Sequence, residues 1–427
     1  MKKLLWLVML AVLGTGCSPA RRISRDLQTN AIYTDHFTGV ALYDPVGQKT
    51  LIAHNADKPF TPASNTKLFS FYAGLLTLRD SLPAFRYVVR RGVGQADSLI
   101  FWGTGNPLAL HPDLPDTTLL AFLRQHSEQL FFSTANYNGP RFGAGWAWDD
   151  YNDDYSPELA PLPLFGNVVR FITTPSGSTG SPRRLADSVR VAGAGSSIRR
   201  NEFSNQFTRP AAGRAGRQDV PFRWSPPLAA QLLSDTLHRP VGLLQMPVPT
   251  DAQLVRGYPT DSLYKRMLQV SDNQFAEQVL FMVSAERSAT ALAPTVELRR
   301  VADSLHHPMN SVRWVDGSGL SRYNVFTPNV LIELLKKIIA VVPQERLFKL
   351  LPAAGQSGTL QSIKTGGEPY IFAKSGSMTG VYNLSGYVVT RRGKLLYFSI
   401  MHNNFTQPVS ELRRRTGDLL KTIHEQF

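Results

Sequence analysis

The chain has 427 residues, too many for one ordinary core, and 43% hydrophobic content with 10% aromatics excludes a disordered chain. Its 46 Lys and Arg against 32 Asp and Glu leave a formal charge of +14, a balance that favours polyanionic surroundings. The basic residues are scattered, with only short clusters such as Arg199-Arg200 and Arg413–Arg415, and no nucleic-acid module signature accompanies them. A solvated basic surface is expected, and nucleic acid is not an expected partner.

Lys2 and Lys3 precede an apolar run, Leu4 to Leu13, followed by Gly14-Thr15-Gly16-Cys17-Ser18. A short basic region, about ten apolar residues and then small residues form a secretory signal. The run is too short to span a bilayer as a mature helix. Cys17 is the one cysteine of the chain. Its surroundings resemble a bacterial lipoprotein box, with Gly14 standing where leucine is common. Residues 1–17 are therefore expected to form a lipoprotein signal, cut so that Cys17 is lipidated and becomes the new N-terminus, giving an exported, periplasmic, membrane-anchored protein; cleavage after Ala20 is the alternative. Either way no cysteine pair remains for an intrachain disulfide, so stability must come from packing.

A polar stretch, Arg21 to Asp35, leads into Gly39-Val-Ala-Leu-Tyr-Asp, a Pro-Val-Gly turn and Thr50-Leu-Ile-Ala-His, which together predict a β-hairpin. Thr61-Pro62-Ala63-Ser64 then opens a helical run from Lys67 to Leu76, since proline and small polar residues are helix-start signals. Ser64 falls at or near that helix N-terminus, and Lys67, three residues on, shares its face. From about Phe85 to Gly257 short β-like runs such as Ser98-Leu-Ile-Phe-Trp alternate with Gly, Pro and Ser clusters, and one helix is expected near Thr117–His126. Amphipathic helices resume at Ser262–Leu268, Gln274–Ser288 and Asn329–Val341. Strands follow at Tyr370–Lys374, Asn383–Thr390 and Leu395–Met401, then a closing helix from Val409. A hairpin near one end, strands near the other and helices between predict one sheet assembled from both ends of the chain, with the β-rich middle inserted into it.

Metal chemistry lacks a signature. None of the nine histidines forms a short ligand pair at helical spacing, and His306 and His307 are adjacent, so their side chains diverge. Neither a metal nor any other cofactor is expected. Ser-x-x-Lys occurs twice, as Ser64-Asn-Thr-Lys67 and Ser262-Leu-Tyr-Lys265, against about one expected by chance. A serine at a helix start can present its hydroxyl beside backbone N–H groups that stabilise an oxyanion. A lysine three residues on can take its proton once burial or another cation lowers its pKa. Ser64 has that setting; Ser262, beside Asp261, Lys265 and Arg266, suits a helix surface. Ser271-Asp-Asn273 can project a hydroxyl and an amide into one cleft for proton relay and substrate holding, or be a helix cap and polar turn. Of two Lys-Thr/Ser-Gly candidates, Lys364-Thr-Gly366 runs into Gly367, Glu368 and Pro369 and suits a turn. Lys374-Ser375-Gly376 instead ends a strand-like run, where glycine lets a substrate backbone approach and the lysine offers charge to a carboxylate.

Ser-x-x-Lys, Ser-x-Asn and Lys-Thr/Ser-Gly in this order resemble the set shared by class A β-lactamases and penicillin-binding proteins. The stretches His54–Lys67, Ser271–Glu277, Asp316–Asn324, Leu351–Leu360 and Ala373–Tyr387 resemble the class C low-molecular-mass penicillin-binding proteins, D-Ala-D-Ala carboxypeptidases and endopeptidases with a large insertion between the first two motifs. The resemblance implies an α/β (α+β) fold: a serine β-lactamase/transpeptidase-like domain, its antiparallel sheet flanked by helices. That domain would comprise residues 30–86 and 257–427, with a β-rich accessory region at 87–256. It implies that Ser64 attacks the D-Ala-D-Ala carbonyl of peptidoglycan stem peptides, with Lys67 as base and Ser271 and Asn273 assisting. Lys374, Ser375, Gly376 and Ser377 would bind substrate, the N–H groups of Ser64 and Ser377 would form the oxyanion hole, and β-lactams would be covalent inhibitors. Ser375 departs from the commoner threonine but keeps the hydroxyl. The same scaffold also serves β-lactamases and esterases. An inactive wall-binding lipoprotein is a further alternative, with no need for intact Ser64, Lys67, Asn273 and Lys374.

Overall fold

The computed structural model describes residues 18–92, 96–174, 177–192, 195–211, 215–304 and 312–427. The expected leader with Cys17, and the pair His306 and His307, lie outside them. The chain first forms a helix, α1 (Pro19–Thr29), and then the hairpin strands β1 (Phe37–Asp44) and β2 (Lys49–His54). Near the other end come β3 (Ile371–Met378), β4 (Val381–Val389) and β5 (Leu395–Asn403). These five strands make one sheet in the order β3-β4-β5-β1-β2, antiparallel throughout. The two ends of the chain thus meet in a ladder between β1 and β5, where Leu42 faces Phe398 and Val40 faces Ile400.

Alternation along these strands produces two apolar faces. Val40, Leu42, Leu396, Phe398 and Ile400 join Ile23 and Leu27 of α1 and Leu419, Leu420 and Ile423 of the closing helix, α6 (Val409–Gln426), in one core. Ala41, Tyr387, Tyr397 and Met401 point the other way, into a helical layer. That layer contains α2 (Lys67–Thr77), α3 (Thr260–Gln269), α4 (Asn273–Arg287) and α5 (Pro328–Val341). Helix α1 occupies part of what the sequence presents as a featureless polar stretch. Its only buried residues, Ile23 and Leu27, are one turn apart among arginines, too sparse a stripe to stand out as a period.

Between α2 and α3 the chain builds a second body. Strands Ser81–Arg90 and Gln253–Pro259 pair with each other at its base. They continue through Ser98–Gly103, Gln129–Ser133 and Val241–Leu244 into a five-stranded mixed sheet. The expected helix is present as Thr118–Gln125, and a second, Pro226–Leu237, follows Ser225, whose hydroxyl accepts the Leu228 N–H. Both pack on one side of the sheet with Phe85, Leu99 and Phe101. Helix α4 lies between the two bodies, and every residue from Gln274 to Ala285 is buried. Its far side meets the segment 159–161, where Phe281 packs on Leu159 and the Gln278 amide donates to the Ala160 carbonyl at 2.8 Å.

That segment crosses the strand Ser98–Gly103 so closely that a Cβ on Gly103 would stand 2.0 Å from the Pro161 carbonyl oxygen. Gly103→Ala is expected to destabilise the protein by about 1–3 kcal/mol, since a backbone neighbour cannot yield. Gly417→Ala, in the middle of α6 with its nearest contact at 3.4 Å, is expected to stabilise by about 0.5–1 kcal/mol through helix propensity. Thermal midpoints moving in opposite directions for the two variants would bear this out, and equal midpoints would refute it.

Candidate active site

The Ser64 segment is held from three sides. The Asn403 side chain accepts the Thr61 N–H at 2.7 Å, and the Asn383 amide donates to the Thr61 carbonyl at 3.0 Å. Both asparagines sit on the sheet, one on β5 and one on β4, so the loop enters the site at a fixed height. Ala63 then adopts a left-handed backbone, φ +46°, a conformation that costs energy in a residue with a Cβ. A single 3₁₀ turn, Ala63–Thr66, carries Ser64 and runs directly into α2. Two glycines close on this turn. A Cβ on Gly376 would lie 2.5 Å from the Pro62 carbonyl oxygen and 2.9 Å from the Ser64 nitrogen, and one on Gly319 would lie 1.9 Å from the Ala63 carbonyl oxygen. The sequence suggests that Gly376 makes room for a substrate. In the structure the space is already taken by the protein's own Ser64 turn.

Lys67 begins α2 and points back under Ser64. Its amine is fully buried and donates to Ser64 Oγ at 2.9 Å, Asn273 Oδ1 at 2.5 Å and the Ser318 carbonyl at 2.7 Å. All three partners are neutral oxygens. Desolvation therefore dominates and lowers the Lys67 pKa to about 8, against the opposing pull of Asp316, Glu277 and Asp272. An amine poised there can exchange a proton with the serine hydroxyl near neutral pH.

Two of those carboxylates explain why the Ser318 carbonyl is where it is. Glu277 of α4 accepts the N–H groups of Gly317 and Ser318 at 2.9 and 2.8 Å. Asp316 accepts from the Gly319 and Ser321 N–H groups at 2.8 and 2.6 Å, from Asn324 at 2.7 Å and from the Trp146 indole at 3.0 Å. Burial first, and then the Asp316 charge, pushes the Glu277 pKa up. Sequence reasoning gave neither residue a role; the signal available was that Glu277 and Asp316 end and begin two of the stretches, Ser271–Glu277 and Asp316–Asn324, that carry the family resemblance.

Ser271 and Asn273 flank the start of α4, where Asp272 caps the helix by accepting the Phe275 N–H at 3.1 Å. The capping and functional readings of this triplet thus fall on different residues. Ser271 is left-handed, φ +63°, which turns its hydroxyl to Lys374 Nζ at 2.9 Å. Asn273 bridges Lys67 and the Tyr155 carbonyl, the latter at 2.8 Å. Tyr155 belongs to the inserted region, whose distance in sequence hides its place in the site.

Lys374 lies in the middle of β3, not at its end. It is fully buried, and the other partner of its amine among the described residues is the Ser375 carbonyl at 2.6 Å. Desolvation, reinforced by Lys67, holds its pKa well below the usual lysine value. The Ser375 hydroxyl donates to Thr359 at 2.7 Å. Ser377, two residues on, is exposed. A cleft of about 540 Å³ is lined by Ser64, Ser271, Asn273 and Ser377, with Tyr155 and Asp150 from the inserted region and Arg322 opposite. Ser64, Ser271, Asn273 and Ser377 thus share one cleft, whereas Lys374, Ser375 and Gly376 are not among its lining residues, Lys374 meeting it through its bond to Ser271. Lys364 is exposed in a turn. Ser262 and Lys265 lie on α3 and line a different cavity.

Comparison with known proteins places this geometry. The profile of the D-Ala-D-Ala carboxypeptidase 3 (S13) family matches residues 21–214 and 228–423. The D-alanyl-D-alanine carboxypeptidase DacB of Haemophilus influenzae is 25% identical over 427 aligned positions, covering 88% of this chain and 87% of that protein. The crystal structure of penicillin binding protein 4 (dacB) from Haemophilus influenzae matches with a TM-score of 0.73 at 21% identity, over 91% of this chain and 96% of that one. Its complex with a β-lactam matches with a TM-score of 0.68 at 21% identity, over 90% and 94% of the two chains. With both segments of the family profile falling on the sheet, the helical layer and most of the inserted region, the chain belongs to the D-Ala-D-Ala carboxypeptidase 3 (S13) family.

Proposed function

We propose that this protein is a serine DD-peptidase that cleaves peptidoglycan stem peptides after D-alanine through an acyl-enzyme on Ser64. The observation that carries this reading is the buried Lys67 amine, 2.9 Å from Ser64 Oγ, whose other partners among the described residues are neutral oxygens. In its neutral form Lys67 takes the hydroxyl proton while Ser64 Oγ bonds to the D-alanyl carbonyl carbon. The oxyanion is held by the N–H groups of Ser64 and Ser377. The proton taken by Lys67 is relayed through Ser271, whose hydroxyl lies 2.9 Å from Lys374 Nζ, to the departing amine as its C–N bond breaks. Water then attacks the ester and returns the proton to Ser64. Lys374 and Ser375 face the terminal carboxylate, which supplies the counter-charge that Lys374 otherwise lacks. The leader with Cys17 supports export and lipid anchoring. The sheet from both chain ends supports a division into a catalytic domain, 30–86 with 257–427, and an accessory region at 87–256, although the strands Ser81–Arg90 and Gln253–Pro259 of the second sheet cross both boundaries and α1 packs on the first sheet.

Fluorescent penicillin followed by mass mapping is expected to give a stable adduct on Ser64, absent in Ser64→Ala and unchanged in Ser262→Ala; an adduct on Ser262 would overturn the assignment. Acylation should rise with pH through about 8, as Lys67 loses its proton, and a flat profile from pH 6 to 9 would rule Lys67 out as the base. Lys374→Ala should slow acylation by roughly 100-fold or more, on the scale of losing one charged contact to the reacting group. Lys364→Ala should leave it within about twofold, and equal losses in the two variants would return the third motif to an open question.

A further inference from the structure

Ser271 and Asn273 line the cleft, and Asp272 between them is not among its lining residues. Both Asp272 oxygens are occupied elsewhere. One accepts the Phe275 N–H at 3.1 Å, and the other accepts from Arg266 Nε, on α3, at 3.0 Å. Arg266 reaches on to the inserted region. Its Nη2 donates to Asp113 Oδ2 at 3.0 Å, and its guanidinium lies over the Phe275 ring, 5.4 Å from the centroid. Three charged side chains therefore run in series from Asp113 through Arg266 to Asp272, the middle residue of the triplet.

The far end of this series is firmly held. Arg170, on the strand Val168–Thr174, stands opposite Asp219 on the antiparallel strand Gly216–Pro221. It donates to both Asp219 oxygens, at 2.8 and 2.7 Å, and to both Asp113 oxygens. A guanidinium forked onto two carboxylates fixes their orientation as well as their charge. The Arg170 bonds, outweighing desolvation, hold the Asp113 carboxyl well below the usual carboxylate range, so it stays ionised. His111 closes the backbone beside it: its Nδ1 accepts the Asp113 and Leu114 N–H groups at 3.2 Å, and its ring meets Phe275 edge-on at 5.0 Å. The five charged side chains are only 13% to 25% exposed, so salt screens them less than an open surface pair.

What the series holds is a strained loop. Ser271, at φ +63°, keeps a left-handed backbone that a residue with a Cβ adopts only when its surroundings over-determine it. Its hydroxyl is tied to Lys374 on one side, and its neighbour Asp272 is tied to Arg266 on the other. Resting on the DD-peptidase reading, we infer that Asp113 and Arg266 are positioning residues for the Ser271 proton relay, through which the inserted region sets the rate of bond breaking from outside the cleft. Neither residue lines the cleft. Without the series, Ser64, Lys67 and Lys374 keep their own bonds, while Ser271 relaxes toward ordinary backbone and its hydroxyl leaves the path of the proton. The loss falls on kcat and spares KM.

The test measures D-alanine release from a pentapeptide ending in D-Ala-D-Ala by the full-length enzyme. Asp113→Asn, and Arg266→Lys, which keeps the charge but not the fork, should each lower kcat about tenfold, the scale of a reacting group misplaced by a fraction of an ångström. KM should stay within about twofold. Arg256→Gln breaks another ion pair between the inserted region and α4, the 2.6 Å bond to Glu286 at the far end of that helix, and should keep the parent kcat. Penicillin acylation should show the same tenfold fall in Asp113→Asn, and no further fall when Asp113→Asn is added to Ser271→Ala, where the positioned group is gone. Parent kcat in Asp113→Asn and Arg266→Lys, a loss carried by KM, an equal loss in Arg256→Gln, or a tenfold fall that persists over Ser271→Ala overturns the positioning role. Each of these leaves the DD-peptidase reading standing while penicillin labels Ser64 in the parent; absence of that label overturns both.

Discussion

The arrangement depends on one buried amine. Lys67 is fully buried with no carboxylate in direct contact among the described residues, yet it carries three short bonds to neutral oxygens. Burying a charge without a partner is costly, so the amine gives up part of its basicity instead. What keeps this tolerable is that Glu277 and Asp316 stand one layer behind, orienting the backbone that Lys67 touches without neutralising it. A direct salt bridge would hold the amine protonated. The structure separates the job of positioning the lysine from the job of compensating its charge.

The second lysine follows the same logic with a different purpose. Lys374 is buried, close enough to Lys67 for the two charges to oppose each other, and linked to it through Ser271, Asn273 and the serine turn. Two cations cannot comfortably share so small a volume. In the proposed mechanism an arriving substrate carboxylate changes that balance at the moment it is needed.

Much of this was legible in the sequence because it lies in short-range patterns. The Pro62-led helix start placed Ser64, and helical spacing placed Lys67 beneath it. The strand after Tyr370 distinguished Lys374 from Lys364. Alternation in β1, β4 and β5 revealed a sheet built from distant segments. What stayed hidden depends on contacts that no local pattern encodes. Tyr155 reaches Asn273 from 118 residues away, and Trp146 reaches Asp316 from 170. Gly376 looked like a substrate-clearance glycine, when its missing Cβ makes room for the Pro62–Asn65 backbone. Helix α1 was missed because two apolar residues among arginines carry almost no periodic signal.

The ladder between β1 and β5 has a consequence for when the site can exist. Residues 37–43 find their partners only at 397–403, more than three hundred residues later in synthesis. Until those strands emerge, β1 and β2 form an isolated hairpin, marginal by itself in water. The Ser64 turn also lacks Asn383 and Asn403, the two side chains that set its height. Such non-local pairing closes its loops late and slowly. A partial chain, however long, therefore holds the serine and its lysine as mere neighbours in sequence, and reactivity arrives with the last strand rather than growing as the protein is made.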